Sequence, residues 1–87
     1  MVDVTLKTKI RSLLKQDLFS GPDDLVDVSD GPAEDIHVVV VSRKFDKRHF
    51  RERHDVIWDH LVKNLSPVEW GQISLSIGAS PEDVKAF

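Results

Sequence analysis

Within residues 43–54, six cations (Arg43, Lys44, Lys47, Arg48, Arg51 and Arg53) and two histidines (His49 and His54) meet only Asp46 and Glu52. The segment carries a local charge of +4 in a chain of 87 residues whose net charge is −3. Guanidinium and ammonium groups at this density suit one kind of chemistry, the holding of phosphate or carboxylate by charge-assisted hydrogen bonds. Plain surface solvation is the blander explanation of the same residues. The acids Asp17, Asp23, Asp24, Asp27, Asp30, Glu34 and Asp35 form the opposite block, since residues 17–35 contain no Lys or Arg. They read as ordinary turn and strand-edge residues. The functional alternatives are masking of the basic segment or metal binding, and no twelve-residue calcium loop is present to favour the latter.

Other chemistries find less to work with. His37, His49, His54 and His60 include no pair at i, i+4 on one helix, so no metal site is expected. His54, between Phe50 and Trp58 on an apolar stripe, reads as a half-buried ring hydrogen-bonded to backbone or to a carboxylate. For Arg53 the alternatives are stacking along its own helix and contact with a partner or phosphate. Ser66, Ser74, Ser76 and Ser80 are explained by helix caps and strand faces. No Gly-x-Ser-x-Gly or catalytic carboxylate pair accompanies them, and no enzyme activity or small-molecule substrate is expected.

The chain contains no cysteine, hence no disulfide and no thiolate, which fits a reducing compartment and makes the cytoplasm the expected location. The longest apolar run, residues 38–41, is too short for a bilayer, and the first 18 residues lack the apolar core and cleavage site of a signal peptide. With 40% hydrophobic and 31% charged residues, residues 1–87 read as one soluble domain. A domain of this size buries roughly 60–65% of its extended-chain surface.

The elements that would position the basic segment follow from periodicity. Leu6, Ile10, Leu13, Leu14 and Leu18 recur at helical spacing, with Asp3 or Thr5 placed to cap the first amides and Ser20-Gly21-Pro22 to end the helix. Leu25-Val26-Asp27-Val28-Ser29 alternates as a strand, Gly31-Pro32 turns the chain, and Ile36 to Ser42 is a β-branched second strand. From Asp46 onward, Phe50, Ile57, Trp58, Leu61, Val62 and Leu65 mark one stripe of a central helix, whose first turns would hold the basic residues. Cations are unfavourable there, since a helix N-terminus carries partial positive charge.

Ser66-Pro67-Val68-Glu69 signals a capped helical turn ending at Gly71. Gln72 to Ile77 alternates with Ile73, Leu75 and Ile77 on one face, and Ser80-Pro81-Glu82-Asp83 starts a last helix carrying Val84 and Phe87. The order is α-β-β-α-β-α, an α/β (α+β) chain with a three-stranded sheet and helices packed on one face. The expected core is Leu6, Ile10, Leu13, Val39, Val41, Phe50, Ile57, Leu61 and Leu75.

With these elements in place, the central segment resembles the BolA-like proteins. Their signature joins a strand ending in Val-Val-Ser through Phe-x-Gly to Arg-His, eight and nine residues after the Phe, and then to an aliphatic and an aromatic residue. Val40-Val41-Ser42, Phe45, Arg53-His54 and Ile57-Trp58 reproduce that spacing, with Lys47 where the family has glycine. The last strand and Ser-Pro-Glu helix start also fall into register, so the resemblance covers about residues 4 to 87. It implies a KH-like fold and a non-catalytic module with two associated activities. One is DNA binding, as a transcriptional regulator of stress response and cell morphology. The other is pairing with a monothiol glutaredoxin around a shared iron–sulfur cluster. For cluster sharing, the resemblance places ligands at the start of the last strand and in the loop before the second strand. Here those positions are Gln72 and Asp35, and an amide is a poor iron ligand. The usual cluster ligation is therefore expected to be lost, and no cofactor is expected. For nucleic-acid or partner contact, the residues carried over are Lys44, Lys47, Arg48, Arg51, Arg53 and His54, though the Gly-x-x-Gly clamp of true KH domains is absent.

Overall fold

The sheet is held by a strand that is apolar at every position except His37. Ile36–Val41 forms the central strand, β2, between β1 (Leu25–Asp30), antiparallel to it, and β3 (Ile73–Ala79), parallel to it. The computed structural model describes residues 4–85, and the expected Asp3 cap and Phe87 contact lie outside them. Around the sheet run α1 (Val4–Asp17), a 3-10 turn (Arg43–Phe45), α2 (Phe50–Asn64), a short α3 (Pro67–Trp70) and α4 (Pro81–Lys85). Helices α1 and α2 pack on one face of the sheet, as expected, and bury Leu6, Ile10, Leu14, Ile57 and Leu61 against it. The parallel β2–β3 pair requires a crossover, which α2 and α3 provide.

The capping signals are realised at both Ser-Pro starts. The Ser66 hydroxyl accepts from the Glu69 amide and the Glu69 carboxylate accepts from the Ser66 amide. Ser80 and Asp83 make the same reciprocal pair at α4.

The expected core is corrected at the strands. Val39 and Val41 lie on the uncovered face, whereas Ile36, Val38 and Val40 are fully buried. The four consecutive valines carry no alternation of their own. The partner strand supplies it, because Val26 and Val28 pair with Val40 and Val38 and all four face the helices. In β3 the expected single face of Ile73, Leu75 and Ile77 is broken. Ile36 pairs with Ile73 but His37 pairs with Leu75, so Ser74 is an extra residue in the ladder. A bulge reverses every later side chain. Ile73 is buried, Leu75 and Ile77 are exposed, and Ser76 and Gly78 face inward, with the Ser76 hydroxyl buried and unpaired.

Leu13 is only partly buried, and Phe50 is 71% exposed. Helix α2 begins at Phe50 and not at Asp46, and Phe45 from the 3-10 turn fills that end of the core instead. A Cβ at Gly78 would come to 3.0 Å from the Phe45 ring and from Arg53 Cβ, so any larger residue would push on this close approach of strand to helix.

Candidate functional site

The turn between β2 and α2 is built on Ser42, which is fully buried. Its hydroxyl donates to Asp24 Oδ1 at 2.7 Å and accepts from the Lys44 amide at 3.1 Å, opening the 3-10 turn. Asp24 is itself fixed by the Gly21 amide, and Lys15 Nζ reaches the Gly21 and Asp24 carbonyls. The basic segment therefore leaves the sheet from an anchored point. Asp46 to His49 then turn into α2, so Lys47 and Arg48 precede the helix and escape the unfavourable first-turn position expected for them.

Arg43, Lys44, Lys47, Arg48 and Arg51 are exposed at this junction. None of the ion pairs among the described residues involves any of them. Lys44 is the partial exception to their freedom, since its ammonium meets the Leu18 carbonyl and lies over the Phe19 ring. With Arg48 it rims a cleft of about 240 Å³ floored by Leu18, Phe19, Phe45 and Val56. Part of the acidic block lies at the junction, Asp24 beneath Ser42 and Asp23 in a hollow it shares with Arg43. Asp17 pairs with His60, Asp30 with Lys7, and Asp24 with Ser42.

Lys47 has φ 61°, the left-handed region that costs an ordinary side chain roughly 1 kcal/mol or more. This is the position at which the resemblance has glycine, and here a lysine adopts the left-handed conformation that glycine takes without strain. Lys47→Gly is expected to stabilise the fold by about 0.5–1 kcal/mol, read as a raised denaturant midpoint.

Arg53 is not part of the exposed set. It is 6% exposed, with Nε donating to the Arg48 carbonyl at 2.9 Å and Nη1 reaching the Gly78 carbonyl and Asp83 Oδ2. The guanidinium lies 4.9 Å from the Phe50 ring centroid. Arg53 thus ties α2 to β3 and α4, and a contact role for it is replaced by an internal one. The Asp83 carboxyl is held below its ordinary value by the Ser80 amide and then by Arg53. His54 is exposed, its ring stacked on Trp58 at 5.9 Å, and Trp58 meets Trp70 edge-on at 5.8 Å.

The two positions at which the resemblance implies cluster ligands do converge. The Ile36 amide donates to the Gln72 carbonyl at 2.9 Å, bringing the starts of β2 and β3 together. Asp35 and His37 close over Gly31, where a Cβ would come within 2.7 Å of His37 Nε2. The Ser74 hydroxyl, then the Asp35 backbone amide, lower the Asp35 carboxyl. Among the described residues no three His, Cys, Asp or Glu side chains group so as to hold a metal, and no helix is long and apolar enough to cross a membrane.

Sequence reasoning found the basic residues but missed Phe50 as a surface group. The available signal was Phe45, five residues earlier, competing for the same end of the core.

This arrangement of a β1-β2-β3 sheet, one helical face and a strand-to-helix junction is a BolA-like fold. A solved structure similar to it is that of a Bol-like protein from Babesia bovis, 19% identical, matched over 99% of this chain and 93% of its own with a TM-score of 0.58. No protein-family model matches the sequence, and no curated protein does.

Proposed function

We propose that this protein is a non-catalytic, cytoplasmic binding module that acts as a regulator of the stress-response or morphology type through nucleic acid held at the basic junction. The observation that carries the reading is the set of exposed cations Arg43, Lys47, Arg48 and Arg51 on an anchored turn, none of them in an ion pair among the described residues. Lys47 keeps its charge there at a conformational cost. Phosphate contacts of this kind are largely blind to sequence and release counterions. Titrating salt from about 50 to 200 mM against a labelled DNA dodecamer should give a slope of log K on log salt near −3, as expected for three to four phosphates. A slope near zero, or no binding at about 50 mM salt, removes the reading.

Pairing with a monothiol glutaredoxin is the second reading. It is supported by the convergence of Asp35, His37 and the Gln72 backbone at one end of the sheet and weakened by the amide at position 72, a poor ligand for iron.

A further inference from the structure

Phe50 is an expensive residue to leave in water, and the structure holds it there. Its ring is 71% exposed at the first turn of α2, between Arg48 and Arg51 in sequence. One face lies against the Arg53 guanidinium, 4.9 Å from the centroid. That guanidinium cannot swing away, because the Arg48 and Gly78 carbonyls and Asp83 fix it. The ring is therefore braced from behind, with its opposite face open to solvent. A cation behind an aromatic ring draws electron density from it, which favours stacking on an electron-rich partner. One turn further along the helix, in the same i, i+4 row, stands the exposed His54 ring, itself stacked on Trp58.

We infer that Phe50 is a stacking platform for an unpaired nucleobase, and that the junction takes single-stranded nucleic acid in preference to duplex. Lys47, Arg48 and Arg51 hold its phosphates, while a base lies on the open face of the ring. This rests on the nucleic-acid reading of the junction given above. A flat aromatic surface beside cations serves a strand whose bases are free to stack. In a duplex the bases already stack on each other, so the ring would add nothing to the phosphate contacts. An acidic peptide would use the cations alone. The nearby acids Asp46 and Glu52 reduce the positive field without cancelling it.

The test compares a labelled oligo-dA dodecamer with its duplex on oligo-dT, by fluorescence anisotropy at about 50 mM salt. The single strand is expected to bind about tenfold more tightly than the duplex. Phe50→Leu, which leaves the core untouched, should cost about tenfold on the single strand and leave the duplex within about twofold, while Phe50→Tyr restores the single-strand affinity. Equal affinity for strand and duplex, or an unchanged single-strand affinity in Phe50→Leu, overturns the stacking inference. If binding still vanishes when the cations are reversed, the junction reading stands without it. Binding of poly-glutamate but neither nucleic acid overturns both.

Discussion

Replacing Lys47, Arg48 and Arg51 together by Glu is expected to abolish measurable DNA binding, a loss on the order of a thousandfold at about 50 mM salt. Each phosphate neutralised contributes a slope of about −0.9 in log K against log salt. Over the interval from about 1 M salt, where the ionic contribution is nearly gone, to about 50 mM, three contacts amount to roughly three decades of affinity. Reversal adds repulsion to that loss. The fold should survive, because all three side chains are exposed and none takes part in an ion pair among the described residues. The circular dichroism spectrum should be native, and the thermal midpoint should not fall. Retention of wild-type affinity by the triple variant would remove the junction from the binding surface.

The second large effect is on stability. Arg53→Met is expected to cost about 2–3 kcal/mol, lowering the thermal midpoint by roughly 10–20 °C. The substitution keeps an unbranched stem of similar volume but strips the donor from the Arg48 and Gly78 carbonyls and leaves Asp83 without its cation. Breaking a fully buried pair costs more, about 3–5 kcal/mol. The lower figure reflects the Asp83 side chain being 34% exposed, so water re-solvates it in part. The effect also has a pH signature. The folded Asp83 carboxyl titrates below its unfolded value, so its contribution is complete above the unfolded value and is lost as pH falls through the folded one. Arg53 is only the second cause of that lowering, after the Ser80 amide, so the variant should flatten the acid side of the stability curve in part. A cost below about 0.5 kcal/mol would show that Arg53 is not the tie between α2, β3 and α4.

Both results bear on how one motif divides its labour. Arg53 and His54 are adjacent in the sequence and were expected to act together, yet one is buried under β3 and α4 and the other points to solvent. Consecutive residues on a helix differ by about 100°, so one Arg-His pair can serve the interior and the surface at once. The strained turn at Lys47 follows the same logic. Its backbone lies in the left-handed region that suits glycine, and its side chain adds an exposed charge to the junction.

The order of elements, the capping box at Ser66, the capped start at Ser80 and the basic segment were all legible in the sequence, because each depends on neighbours within a few residues. Side-chain period, capping chemistry and local charge are short-range properties. Which valines of β2 face the core, the reversal of Leu75 and Ile77 by the bulge at Ser74, the displacement of Phe50 by Phe45, and the burial of Arg53 against Asp83 were decided only by tertiary structure. In each case two chain segments compete for one position or fix each other's register across the sheet, and the winner is set by how they pack together, which local pattern does not encode.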